Sequence, residues 1–267
     1  MTVPAKERTA SSHRPKILIT NDDSIDAKGL HALVSYVSAF GEIRVVAPDR
    51  ARSGQSGAIT TKTPLSVQEV RRSDEALFYT CNGTPVDCVK LALHIFRDFR
   101  PDLILSGINH GSNAGISILY SGTMGAVLEG CVVGIPSIGF SLLSYEPDAD
   151  FLPCRPYVEA LVAKVLAEGL PQGVCLNVNF PLSPQGMRVC RQAPGYWTDE
   201  YEGCPTAEGK TEYFLTGRFV NIEPEAVDTD EYFLTQGFAS VVPCTCDQTA
   251  YKEMSRISTL IEAICPK

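Results

Sequence analysis

The chain has 267 residues, 44% of them hydrophobic and 20% charged, the balance of a water-soluble globular protein with length for one domain and an appendage. Its formal net charge of −8 argues against a nucleic-acid polymer or an anionic membrane as partner, since both call for basic patches. A small phosphorylated ligand stays open, because a metal ion or backbone amides can supply positive field locally.

Residues 1–15 are polar, carry Lys6, Arg8, His13 and Arg14, and lack the apolar stretch of a secretion signal, so a loose N-terminal tail is expected. The longest apolar stretch, Cys131 to Leu143, is broken by glycines, serines and Pro136 and is unfit to span a bilayer. The ten cysteines are scattered without a Cys-x-x-Cys pair and read as small core residues. The one close pair, Cys244 and Cys246, lacks further ligands at zinc-like spacing. A cytoplasmic protein is the expectation.

In chain order, the short apolar run Ile17 to Ile19 reads as a buried strand and stops at Asn21, Asp22, Asp23 and Ser24. Two adjacent carboxylates at a strand end repel unless neutralised, which points to a divalent cation; helix capping is the alternative. Ala27 to Phe40 has the periodicity of an amphipathic helix, and Ile43 to Ala47 is a second strand, completing a βαβ unit with parallel strands. The Gly/Ser-rich loop 50–57 follows, so Ser53 leaves the same sheet edge as the Asp pair, unless the loop is only a flexible connection. Residues 58–80 read as a hairpin-like excursion. Thr84, Pro85 and Asp87 then open a helix from Val86 to Phe96, on which His94 is a surface residue.

Asp102 to Gly107 is a third strand, with Asn109 just after its end. Ser121, Gly122 and Thr123 begin a helix whose N-terminus offers an anion site or, more plainly, a cap. Gly134 to Phe140 is a fourth strand, Arg155 to Glu168 a helix and Val174 to Phe180 another strand. Beyond residue 183 come short strands, turns and aromatics (Tyr196, Trp197, Tyr201, Tyr213, Phe214, Phe219), the pattern of a subunit-contact arm. Glu223 to Glu231 reads as a solvated acidic loop, and residues 251–264 close the chain as a helix. The fold class is α/β, a Rossmann-like doubly wound, mostly parallel sheet with a C-terminal strand-rich oligomerisation arm. The expected division is tail 1–15, catalytic core 16–182, and arm with terminal helix 183–267.

Several of these segments together resemble the SurE family of metal-dependent phosphatases. They are Thr20-Asn-Asp-Asp23, Val46-Ala-Pro-Asp49 with Arg52-Ser-Gly54, Gly83-Thr-Pro-Val-Asp-Cys-Val89, Ser106-Gly-Ile-Asn109 and Tyr120-Ser-Gly-Thr123. The likeness continues more weakly through Asn177 to Pro181, Trp197, Thr229-Asp230 and Gly237 to Val241. The resemblance implies a 5′/3′-nucleotidase acting on nucleoside monophosphates, with short polyphosphate as a further substrate of some members. It also implies arms exchanged between subunits of a homodimer or homotetramer. Carried over by motif, one divalent cation per subunit is held by Asp22, Asp23, Ser53 and Asn109, and phosphate lies near Asn113, Ser121, Gly122 and Thr123. The catalytic set is Asp22, Asp23 and Asn109; His110 is adjacent to it, either a proton donor to the leaving alcohol or a non-catalytic neighbour. All-oxygen ligands suit Mg²⁺ or Mn²⁺ rather than zinc.

The chain departs from the family pattern at Ser24, where Gly is usual, at Ile116-Ser117, often acidic in relatives, and at Cys244. Two other classes fit less of the chain. A phospho-accepting signalling domain needs a later strand ending in Asp, where this one has Ser-Gly-Ile-Asn. A non-catalytic nucleotide-binding regulatory module shares the sheet and glycine loops.

Overall fold

The computed structural model describes residues 14–264, so most of the expected N-terminal tail and Cys265 lie outside the described residues. The chain begins with β1 (Lys16–Thr20), α1 (Lys28–Val37) extended by a 3-10 turn to Phe40, and β2 (Glu42–Pro48). After irregular residues 49–66 come the hairpin β3 (Val67–Arg72) and β4 (Leu77–Cys81), then α2 (Pro85–Ile95). β5 (Leu103–His110), α3 (Gly122–Val132), β6 (Ser137–Leu142), α4 (Arg155–Glu168) and β7 (Val174–Phe180) follow. The last third holds β8 (Met187–Val189), β9 (Gly195–Thr198), β10 (Tyr201–Pro205), β11 (Thr211–Leu215), β12 (Arg218–Asn221), α5 (Asp230–Thr235), β13 (Ala239–Thr245) and α6 (Met254–Ile264).

Nine strands form one sheet in the order β3-β4-β2-β1-β5-β6-β7-β13-β8. From β4 to β7 every neighbouring pair is parallel, and β3 and β13 run antiparallel to β4 and β7. The chain builds outward from β1 in one direction as far as β4, then crosses to β5 and builds in the other. The carboxyl ends of β1 and β5 therefore flank the crevice where doubly wound sheets place their ligands.

Strand alternation explains both layers. Ile17 and Ile19 of β1 face the side covered by α1 and α4, through Leu30, Leu33 and Val34 and through Val158, Val162 and Val165. Leu18 faces the opposite side, packed with Val89 and Ala92 of α2 and Ala126 of α3. All of these side chains are buried, each Val, Leu and Ile among them contributing about 1.5–3 kcal/mol where fully enclosed. α2 opens on the expected capping box: the Thr84 hydroxyl accepts from the Asp87 N–H at 3.1 Å, and the Asp87 carboxylate accepts from the Thr84 N–H at 2.9 Å.

Three expectations need correction. β5 runs on through Asn109 to His110 instead of ending at Gly107, because a register shift between Ser106 and Asn109 accommodates the extra residues. Gly107 sits at that shift with φ +122°, and a Cβ there would come within 2.3 Å of the Phe140 carbonyl oxygen, so only glycine fits. The acidic stretch 223–231 is not wholly solvated: Asp230 is buried and accepts from the Gly115 and Ala193 N–H groups at 2.8 Å. Residues beyond 183 also do more than form an arm, since β13 and β8 complete the main sheet. The arm itself is β9 paired with β12, and the hairpin β10–β11, whose side chains are exposed.

Candidate active site

Four elements converge at the carboxyl edge of β1 and β5 on a cleft of about 680 Å³. The first is the turn after β1. Asn21 is buried and its side-chain amide donates to the Ser24 carbonyl at 2.8 Å, reversing the chain so that Asp22 and Asp23 both reach the cleft. Ser24 takes φ +104°, a conformation natural for glycine and strained for serine. The second element is the loop after β2. The Arg52 N–H donates to the Asp22 carbonyl at 2.6 Å, which ties the loop to the first turn and sets Ser53 on the cleft wall.

The third element is the end of β5. The Asn109 side-chain NH₂ donates to the His110 and Gly111 carbonyls at 3.0 and 2.9 Å. Its amide oxygen is thereby turned the other way, 3.5 Å from the Thr123 hydroxyl. The His110 backbone N–H donates to Asp23 at 3.0 Å, fixing that carboxylate. The His110 ring stands edge-on to Phe151 with centroids 5.0 Å apart.

The fourth element is the start of α3. The Ser121 hydroxyl caps it by accepting from the Met124 N–H at 3.0 Å. The Thr123 hydroxyl donates to Asp22 Oδ1 at 2.6 Å. A Cβ on Gly122 would lie 2.9 Å from the Asp22 side chain, so glycine is what lets the positive end of α3 approach this carboxylate. Thr123 therefore braces Asp22 from behind, while Ser121 and Asn113 line the cleft itself.

A buried amide network holds the cleft wall between β5 and α3. The Asn113 N–H donates to Asn179 Oδ1 at 2.8 Å, its side chain to the Ser141 hydroxyl at 2.8 Å, and its carbonyl accepts from the Asn177 side chain at 2.8 Å.

The electrostatics follow from burial. The Asp22 carboxyl is pushed up to about 6, first by burial and further by the charge of Asp23, against the opposing hydrogen bond from Thr123. Asp23 is also raised, again by burial first, with the His110 N–H pulling the other way. The buried Asp22 carboxylate, the half-buried Asp23 carboxylate, the Asn109 amide oxygen and the Ser53 hydroxyl offer a hard, all-oxygen donor set that would suit a Mg²⁺-like ion. Among the described residues no three His, Cys, Asp or Glu side chains are grouped to hold a metal, so a zinc-type site is not present there.

Sequence reasoning missed the roof of this cleft. Tyr145, Trp197, Glu200, Tyr201, Leu215 and Thr216 line it, five of them from the arm. The aromatics beyond residue 183 were legible, but nothing local in the sequence says that the arm folds back over the end of β1.

The family model described as survival protein SurE matches residues 17–199. The chain belongs to the SurE family. The 5′-nucleotidase SurE of Phocaeicola vulgatus is 48% identical over 246 residues, covering 91% of this chain and 96% of its own. That of Bacteroides thetaiotaomicron is 49% identical over 221 residues, covering 82% and 85%. The crystal structure of the SurE protein from Aquifex aeolicus superposes with a TM-score of 0.80 at 36% identity, covering 92% of this chain and 99% of that one. The SurE match spans all four elements that meet at the cleft and runs into the start of the arm.

Proposed function

We propose that this SurE chain is a phosphomonoesterase that hydrolyses nucleoside 5′- and 3′-monophosphates to nucleoside and phosphate, with short polyphosphate as a secondary substrate. The observation that carries this is the meeting of Asp22, Asp23 and the Asn109 oxygen with the N-terminus of α3 in one cleft. The printed names of the relatives, 5′-nucleotidase SurE, support it.

Asp22, Asp23, Ser53 and Asn109 would hold one Mg²⁺ or Mn²⁺. Such an ion supplies Lewis acidity toward a phosphoryl oxygen and lowers the pKa of water. The chain's own groups do the rest. Thr123 holds Asp22 in position and the His110 N–H holds Asp23, leaving the second Asp23 oxygen to accept a proton from the attacking water. The first turn of α3, at Ser121, Gly122 and Thr123, together with Asn113, stabilises phosphoryl charge through N–H groups and the helix dipole. Among the described residues His110 is the one imidazole lining the cleft, and it donates a proton to the leaving alcohol. Tyr145, Trp197 and Tyr201 give a nucleobase an aromatic wall.

The arm, with Tyr201, Tyr213, Phe214 and Leu215 exposed on β10–β11, is the surface through which we propose homodimers or homotetramers form. No described helix is long and apolar enough to cross a membrane, and a cytoplasmic site of action is proposed.

The test is phosphate release over mononucleotides, simple phosphoesters and polyphosphate, with Mg²⁺, Mn²⁺ or chelator. Release from mononucleotides that chelator abolishes and Mn²⁺ or Mg²⁺ restores is the expected result. Nucleotide binding without release under every metal condition would overturn it in favour of a regulatory module.

A further inference from the structure

Among the described residues three carboxylates line the cleft, and the chemistry proposed above uses two of them. Asp22 and Asp23 lie on the floor; Glu200 lies on the roof, with Trp197 and Tyr201 of the same stretch. No described lysine or arginine lines the cleft. A phosphate-bearing ligand therefore meets a further negative charge on the roof, with no side-chain cation beside it. A carboxylate so placed repels phosphate and favours the part of the ligand that carries N–H or O–H donors.

The backbone sets Glu200 in place. The β9–β12 ladder stops at Thr198 and Arg218, and the β10–β11 ladder starts at Tyr201 and Leu215. Asp199-Glu200 and Thr216-Gly217 lie between the two ladders, and Asp199 takes φ +53° and Gly217 φ +112°. The arm bends there, an irregularity of the kind that re-aims a side chain beside a site. A Cβ on Gly217 would lie 3.0 Å from the Thr198 carbonyl oxygen and 3.3 Å from the Glu200 Cα, so glycine lets the two strands stay close at the bend. The Thr216 N–H donates to the Glu200 carbonyl at 2.8 Å, and the Thr216 hydroxyl donates to the Asp199 carbonyl at 2.9 Å. The bend is also braced on the body, since the Trp197 ring meets Phe219 at 6.3 Å between centroids and a Cβ on Gly115 would lie 3.0 Å from the Phe219 ring.

The two acids of the bend differ. Asp199 is paired with Arg218 at 3.2 Å, whereas the Glu200 carboxylate has no hydrogen-bond or ion-pair partner among the described residues. With the Thr216 hydrogen already given to Asp199, Glu200 and Thr216 offer a ligand acceptor oxygens. Aromatic walls hold any base by its π-face, so a choice among bases falls to the polar group beside the wall. The two oxygens of a carboxylate are best met by two donors side by side. Guanine has that pair on one edge, N1–H and N2–H. Hypoxanthine keeps N1–H alone. Adenine and cytosine each set one amino donor beside a ring-nitrogen lone pair, and uracil flanks its N3–H with two carbonyl oxygens, so each turns a lone pair toward the carboxylate.

We propose that Glu200 is a specificity-determining residue that accepts the N1–H and N2–H of guanine, so that the cleft selects guanosine monophosphate among mononucleotides. This deepens the phosphomonoesterase reading above and rests on it.

The test measures kcat/KM for phosphate release from GMP, IMP, AMP and 2′-deoxy-GMP with Mn²⁺, in the full parent chain and in Glu200→Gln. The parent should favour GMP over both IMP and AMP on the order of tenfold, the lower end for a paired contact because Glu200 is exposed. Glu200→Gln turns one acceptor into a donor, which opposes the guanine pair and matches the N6–H and N1 of adenine. The GMP-to-AMP ratio should therefore fall by about tenfold or more, through KM for GMP and not through kcat. Equal losses on both nucleotides, or an unchanged ratio, would overturn the assignment. If the variant instead erases a preference for ribose over deoxyribose and leaves the GMP-to-IMP ratio alone, Glu200 reads the sugar and the assignment fails. If the parent releases no phosphate from any nucleotide, the phosphomonoesterase reading fails. Calorimetric binding of GMP and AMP to both chains with Mn²⁺ then decides the role of Glu200 by the same ratio.

Discussion

On the floor of the cleft, Asp22 and Asn109 sit at the ends of buried parallel strands, and the Thr123 hydroxyl of α3 reaches both. On its roof, Tyr201 and Leu215 are respectively 67% and 72% exposed, on a two-stranded hairpin outside the main sheet. The floor gains its geometry from a packed core that leaves little freedom. The β10–β11 part of the roof gains its geometry from the pairing of its own two strands, outside the main sheet. Chemistry common to any phosphoester therefore belongs on the floor, and recognition of what the phosphate is attached to belongs on the roof.

The sharpest way to break that division is Asp22→Asn, which should lower phosphate release from nucleotides and simple phosphoesters alike by more than about 100-fold. The cation-free variant should melt no lower than the parent above neutral pH, because a buried charge has been removed. A loss confined to nucleotides would place Asp22 in recognition instead. His110→Gln should cost about 100-fold or more in kcat, most for poor leaving groups; equal losses for activated aryl phosphates would deny it the role of acid.

Thr123→Val keeps the shape and removes the donor to Asp22. Cation affinity, titrated by Mn²⁺, should weaken roughly 10- to 100-fold, with recovery in Thr123→Ser. Trp197→Ala tests the roof. KM for nucleotides should rise by about 5- to 30-fold, the worth of roughly 1–2 kcal/mol of base stacking, with phenyl phosphate little affected.

The pH dependence separates floor from fold. The folded Asp22 value of about 6 lies above its ordinary 3.8. In cation-free protein its contribution to stability is therefore present below the unfolded value and is lost as pH rises through about 6. A cation binds the ionised form, so thermal stabilisation by Mn²⁺ should be small near about pH 5 and large near about pH 8. Equal stabilisation at both would mean the ion lies elsewhere. The smallest expected effect is Ser24→Gly, which relieves the +104° backbone and should stabilise by about 1 kcal/mol with activity unchanged.

What the sequence disclosed follows the same line. The strand–turn junction at Asp22-Asp23, the capping box at Thr84 and the α3 start at Ser121 are local signals, written in consecutive residues, and the structure has them where they were read. The 3.5 Å approach of Asn109 to Thr123 depends on the register shift in β5, and periodicity does not encode that. Asp230, read as solvated from its acidic neighbours, is buried because loops far away in sequence bring it two backbone donors. Trp197 is legible as one of the arm's aromatics, yet its place on the cleft depends on long-range folding of the arm.

Gly195 and Asn221 face each other across β9 and β12, so the arm leaves and re-enters the body at one point. A segment attached through such a narrow neck is an exchangeable module. Evolution can lengthen, swap or re-letter the intervening stretch while the hydrolytic floor stays intact, and an engineer could graft a relative's arm there to retune substrate choice without redesigning the sheet.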